Sequence, residues 1–105
     1  MQGYQLTFYT QQSRKHHHKP VGEWLLEVVK DMAIRGATLT TAIEGIGRDH
    51  HLHSAHFFDL ADQPVIVTMV VSEEECEALF RLLKAEKDLY LFYVKIPAEF
   101  GAIGA

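Results

Sequence analysis

The feature that most narrows the folding options is the run Val65-Ile66-Val67-Thr68-Met69-Val70-Val71, which passes without a loop into Ser72-Glu73-Glu74-Glu75. A nearly continuous β-branched segment reads as a strand covered on both faces, or by helices on one face and a neighbouring subunit on the other. Ser72 with Glu75 forms a capping box, and Glu73 and Glu74 place negative charge at the positive end of a helix dipole. Cys76, Leu79, Phe80 and Leu83 supply the apolar stripe of that helix. A central strand thus runs straight into an amphipathic helix, and the rest of the chain must flank and cover it.

The segments on either side answer that need. Tyr4, Leu6 and Phe8 alternate with Gln5, Thr7 and Tyr9, the period of a half-buried strand over residues 4–12. The polar, cationic stretch 13–19 reads as an exposed loop, and Pro20 suits the first turn of a helix. Val21, Trp24, Leu25, Val28, Val29 and Met32 recur at three- and four-residue spacing, which predicts an amphipathic helix over 21–35 stopped by Gly36. Residues 37–46 are β-rich and leave through Gly45-Ile46-Gly47-Arg48. Residues 55–60 read as a short strand or strand extension before the turn Ala61-Asp62-Gln63-Pro64, and Leu89 to Ile96 alternates again before Pro97.

The order strand, helix, strand, strand, helix, strand is the split βαβ unit. It predicts an α+β, ferredoxin-like βαββαβ sandwich with both helices on one face of a four-stranded antiparallel sheet. We expect residues 1–105 to form a single domain, with 48–56 a flexible loop and 98–105 a tail. Tyr90, Phe92 and Val94 on one side of the last strand, and Leu89, Leu91 and Tyr93 on the other, leave apolar surface on both faces. Sheet-to-sheet association of subunits follows.

Bulk properties exclude several classes. The net charge is −4 and the ten Lys and Arg residues are scattered, so nucleic acid is not an expected partner. The one cysteine, Cys76, rules out an intrachain disulfide and fits a reducing, cytoplasmic setting. No apolar run approaches the roughly 20 residues that span a bilayer, so no membrane insertion is expected. Nor is an enzyme: there is no nucleophile with a base at recognisable spacing, no Walker-type loop, and Glu44 and Asp59 read as separate surface groups. Trp24 and the Tyr and Phe residues read as core or interface rather than a base-stacking platform.

Ile34-Arg35-Gly36-Ala37-Thr38-Leu39-Thr40, Gly45-Ile46-Gly47-Arg48, and Val65 to Val71 followed by Ser72-Glu73-Glu74 resemble PII signalling proteins. Those carry a G-x-T-x-T strand, a G-x-G-R base to a long loop, and a V-V-S-like cap on the second helix. This chain has one residue more than the PII spacing between Gly36 and Gly47, and lacks the G-K-I-G-D-G-K-type loop after the second helix. It looks still more like the PII-like family called domain of unknown function 190. Shared features are Arg14-x-His16 with Pro20, Gly36-Ala37-Thr38, Glu44-Gly45-Ile46-Gly47, Leu52-His53-Ser54-Ala55 and Leu60-Ala61-Asp62-Gln63-Pro64-Val65. The resemblance covers roughly residues 4 to 101.

The resemblance implies a homotrimer whose inter-subunit clefts hold an adenine nucleotide. Thr38, Gly45, Gly47 and Arg48 are the implied ligand-binding residues, and a transporter or channel is the implied partner that reads the loop. From the residues alone, Gly45-x-Gly47-Arg48 could bring backbone N–H groups and a guanidinium to a phosphate, or could be a bulge beside an exposed arginine. His50, His51, His53 and His56 form a dense group, and His51 and His53 would share a side if extended. They could bind a divalent metal, as in the trimeric divalent-cation tolerance family of the same architecture, or could be solvated loop histidines like His16 to His18. No tightly held cofactor is expected.

Overall fold

A computed structural model describes residues 1–46, 52–54 and 63–104. The first strand, β1 (Gln2–Gln11), keeps the expected alternation: Leu6 and Phe8 are buried and Tyr4 half-buried, while Gln5 and Tyr9 face outward. Residues 13–19, expected to be an exposed loop, instead hold a hairpin of β2 (Lys15–His16) and β3 (Lys19–Pro20). His17 and His18 form its two-residue turn at φ 51° and 67°. That left-handed pair is the turn whose twist matches a tight hairpin, and histidine tolerates it better than most residues. His16 faces inward and is only 8% exposed, which corrects its reading as a solvated histidine.

Helix α1 (Val21–Asp31) starts behind Pro20, whose side chain offers no cap. The carbonyl of Arg14 serves instead, accepting from the Val21 N–H at 2.9 Å. The helix stops before the predicted Gly36. Ala33 takes the left-handed position at φ 57°, the Ala33 N–H donates to Lys30 O at 3.1 Å, and the Ile34 N–H donates to Val29 O at 3.2 Å. This is a Schellman motif, closed by the accompanying apolar pair Val29 and Ile34, both buried in the core. The draw of Ile34 into the core ends the helix early, with an alanine where glycine is usual.

The predicted strand 37–46 is divided. Strand β4 (Ala37–Thr41) pairs with the strand around Val67 only as far as Thr41 opposite Val65. The last bond is Ala42 N–H to Pro64 O at 2.9 Å, at the residue where the partner strand begins. The chain turns off into β5 (Glu44–Ile46), which pairs antiparallel with β6 (Leu52–Ser54). A strand therefore occupies part of the segment expected to be a loop; the predicted strand 55–60 lies outside the described residues.

Strand β7 (Pro64–Ser72) then enters α2 (Glu73–Ala85) as predicted. The Glu75 N–H donates to Ser72 Oγ at 3.1 Å, and the Ser72 N–H donates to Glu75 Oε1 at 2.8 Å. The last strand, β8 (Phe92–Glu99), begins later than expected. Asp88 turns the chain at φ 61°, and Leu89 and Leu91 pack on the core without joining the ladder, which ends at Tyr9 opposite Phe92. Pro97 sits within β8, where an edge strand tolerates its missing N–H. Pairing continues past it, with the Phe100 N–H donating to Met1 O at 2.9 Å, so residues 98–100 are no loose tail.

The main sheet has four antiparallel strands in the order β4-β7-β1-β8. Trp24, Leu25 and Val29 of α1 and Cys76, Leu79 and Leu83 of α2 share one core with Leu6, Phe8, Val67, Met69 and Val71. Both helices thus cover the same face, the predicted βαββαβ sandwich. By strand alternation the opposite face presents Tyr9, Val70, Phe92 and Ile96, which are 42%, 37%, 55% and 51% exposed. Among the described residues no helix is long and apolar enough to cross a membrane.

Candidate functional site

Three places on this frame gather residues capable of chemistry. The first is the rim formed by β4 and β5. Thr38 lies on the edge strand β4 opposite Thr68, out of register with the helix-facing residues and therefore on the open face. Gly45 pairs with His53, and a Cβ added to it would lie 3.2 Å from Pro64 Cγ. Thr68 and Pro64 are four residues apart on β7, so Thr38 and Gly45 mark points about 13 Å apart along the rim. The structure does not bring them into contact. Gly47, Arg48 and His51 lie outside the described residues, and His53 is placed by its backbone pairing to Gly45.

The second place was not foreseen from the sequence. The β2–β3 hairpin folds over the end of α2, and His16 Nε2 and His17 Nε2 both donate to one oxygen, Glu86 Oε1, at 2.8 and 2.9 Å. The His16 ring stands edge-on to Trp24 with centroids 4.5 Å apart, and the His17 ring stands 4.3 Å from His16. The hydrogen bond from His16, then that from His17, holds the Glu86 carboxyl below the usual carboxylate range. Glu86 is the C-terminal cap of α2, where an acid faces the negative end of the helix dipole. An acid at a helix C-terminus needs a cationic or N–H partner, and that was the signal available in the sequence. Its partner is about 70 residues distant, so nothing local could name it.

A third feature is an open groove of about 610 Å³ between α2 and β8, lined by Tyr4, Cys76, Phe80, Arg81 and Lys95 among others. Lys95 Nζ lies 4.2 Å from the centre of the Tyr4 ring, a cation–π contact that occupies the charge. Cys76 is buried at the groove floor, and burial is the main cause that raises its thiol pKa above the ordinary value. That is the opposite of what a reactive cysteine requires.

Comparison with known proteins agrees with the architecture. A solved structure from Thermus thermophilus, described as a PII-like signalling protein, superposes with a TM-score of 0.62 at 18% identity over 92% of this chain and 85% of that one. CPII from Thiomonas intermedia K12, a nitrogen regulatory PII-like protein bound to ADP, AMP and bicarbonate, superposes with a TM-score of 0.60 at 17% identity, over 93% of this chain and 89% of its own. At that identity the likeness shows a common PII-like fold. A UPF0166 protein of Aquifex aeolicus (strain VF5) is 30% identical over 70 residues, 67% of each chain. The family model described as DUF190, Uncharacterized ACR, matches residues 3–94. The split βαβ sheet, the capped second helix and this match together place the chain: it belongs to the PII-like DUF190 family.

Proposed function

We propose that this protein is a PII-like regulator, not an enzyme, that binds an adenine nucleotide in clefts between the subunits of a cytoplasmic homotrimer. Segment 48–56 would then report occupancy to a partner such as a membrane transporter or channel. The observation that carries this reading is the rim of β4. Among the described residues it is a sheet edge with unpaired backbone groups, it bears Thr38, and it leads on to Gly45. Beside it the open sheet face exposes Tyr9, Val70, Phe92 and Ile96, apolar surface that a second subunit would cover. Subunits associating there turn the rim into the wall of a cleft.

A span of about 13 Å along the rim suits an elongated ligand better than a small ion. Thr38 would meet one end, and Gly45, Gly47 and Arg48 the other, where a guanidinium can pair with phosphate oxygens in bidentate fashion. CPII, which shares the fold, is bound to ADP, AMP and bicarbonate, which supports this ligand class. For signalling, the ligand must favour one arrangement of segment 48–56 over another, because equal affinity for both shifts nothing. A lone buried thiol such as Cys76 is at home in the reducing cytoplasm.

Calorimetry with ADP, AMP, ATP, cyclic AMP and bicarbonate, alongside light scattering for mass, tests the proposal. Saturable nucleotide binding, at least ten-fold weaker in Arg48→Ala, is the expected result. The particle should have the mass of three chains, and Ile96→Lys should dissociate it by placing a charge in the covered face. Absence of heat with every nucleotide overturns the ligand assignment, and a monomer in solution overturns the cleft.

A further inference from the structure

We propose that His16, His17 and Glu86 form a binding site for a late first-row transition-metal dication such as zinc or copper(II). It shares no residue with the nucleotide cleft proposed above. The donor atoms of the three residues all lie within 4.8 Å of one another. They comprise two imidazole nitrogens and a carboxylate oxygen, a set that suits zinc, copper or nickel and not the all-oxygen preference of calcium or magnesium.

The geometry is near what a metal needs. Zinc takes imidazole nitrogen at about 2.0–2.1 Å and carboxylate oxygen at about 2.0–2.2 Å, so tetrahedral donors stand about 3.3 Å apart. The present N···O separations are 2.8 and 2.9 Å. Admitting the ion therefore asks Glu86 Oε1 to withdraw and the two imidazole nitrogens, which lie within 4.8 Å of each other, to settle about 3.3 Å apart. Glu86 has room to do so: its side chain is 27% exposed and it lies beyond the last turn of α2, with ψ 134°. The adjustment falls to the exposed His17, since Trp24 packs edge-on against the buried His16 ring. On binding, each imidazole gives its Nε2 proton up to solvent, or re-forms through solvent as the Nδ1–H tautomer, and turns the Nε2 lone pair to the ion, while the Glu86 oxygen that accepted both N–H groups becomes the third donor.

Local structure around the site is organised toward it. His17 is aimed at Glu86 by the turn at His17 and His18, where both residues take positive φ without glycine. An acid at the negative end of α2 is unfavourable alone, and a dication offsets it more fully than two shared N–H groups. Three protein ligands leave a fourth position open, and His17 is 65% exposed while His16 is buried. Such a half-open site exchanges its metal, as a sensor or carrier site does and a closed structural site does not.

Trp24 is the only tryptophan in the chain, so its fluorescence reports on this site directly. Its ring centre is 4.5 Å from that of His16 and 6.3 Å from that of His17, within the range at which bound copper(II) quenches emission. The experiment titrates the full-length protein with copper(II) and with zinc, with magnesium as control, following Trp24 emission and calorimetric stoichiometry. The variants are His17→Asn, which tolerates the left-handed turn, Glu86→Gln, and a His51→Ala/His53→Ala double. Their metal-free melting curves establish that each is folded.

The expected result is one saturable metal per chain, with quenching by copper, affinity at least ten-fold weaker in His17→Asn and in Glu86→Gln, and wild-type affinity in the His51/His53 double. Magnesium should do nothing, and nucleotide binding should survive in all three variants. Undiminished metal affinity in both His17→Asn and Glu86→Gln, loss of affinity in the His51/His53 double, or absence of binding by the wild type each overturns the proposal.

Discussion

Exchanging the roles of Ala33 and Gly36 tests how α1 ends. Ala33 stands at φ 57°, a conformation that costs an L-residue about 1–2 kcal/mol. Glycine escapes that penalty but enlarges the unfolded ensemble, which works against folding by about 0.5–1 kcal/mol. The strain relief is the larger, so Ala33→Gly should stabilise by about 0.5–1 kcal/mol. Gly36 has no left-handed φ, and a Cβ there would meet nothing within 4 Å. Gly36→Ala should therefore also stabilise, by about 0.4–1 kcal/mol, through the unfolded state alone. A helix running on to a left-handed Gly36, the expectation from sequence, demands the opposite signs. Ala33→Gly would then lose about 1 kcal/mol inside a helix, and Gly36→Ala would lose a similar amount at its cap. Urea unfolding followed by circular dichroism reads the sign from the midpoint at constant slope, and thermal melts should rise by about 2–4 °C in each variant. A lowered midpoint in either variant refutes the Schellman assignment.

Three further substitutions probe other parts of the same fold. Gly3→Ala would set its Cβ 1.9 Å from the Val71 carbonyl oxygen and 2.9 Å from the Phe100 ring, so the corner where β1 meets β7 and β8 must part. We expect about 2–3 kcal/mol of destabilisation by urea unfolding, and a loss below about 0.5 kcal/mol would contradict this packing. Ser72→Ala removes the hydroxyl that caps α2 and should cost about 1 kcal/mol in the same assay; Ser72→Asp, which keeps an acceptor, should recover most of it. Cys76, buried and with its thiol pKa raised chiefly by desolvation, should react with an aromatic disulfide reagent at pH 8 far more slowly than the unfolded chain does. Because its folded pKa lies above the unfolded one, the stability that Cys76 contributes is present below the unfolded pKa and is lost as pH rises through the folded pKa. A Cys76→Ala variant should lack this alkaline decline, measured as the unfolding midpoint against pH.

Much of the fold was legible because its signals are local. Period-two alternation in Tyr4 to Tyr9 and period-three-to-four spacing from Val21 to Met32 each report which side of an element meets the core, and the Ser72–Glu75 box lies within four consecutive residues. The errors fall where an element's end depends on a distant partner. Strand β4 stops at Thr41 because β7 begins at Pro64, and β8 starts at Phe92 because its ladder with β1 runs only that far, although Leu89 and Leu91 keep the alternation by packing. Helix α1 ends early because Ile34 is claimed by the core.

The candidate sites divide in the same way. Thr38 and Gly45 were marked by the resemblance to PII-like proteins, and the structure adds that they lie along one rim rather than at one point. Residues 16–18, by contrast, read as a run of solvated histidines. By itself the amino-acid sequence determined the element order, the buried strand and its capped helix, because each rests on contacts within a few residues. Only the tertiary structure decided that His16 is buried against Trp24 and shares the Glu86 carboxylate with His17. Imidazole and carboxylate meet there through a hairpin laid over the end of a helix some 70 residues later, and no local periodicity encodes that approach.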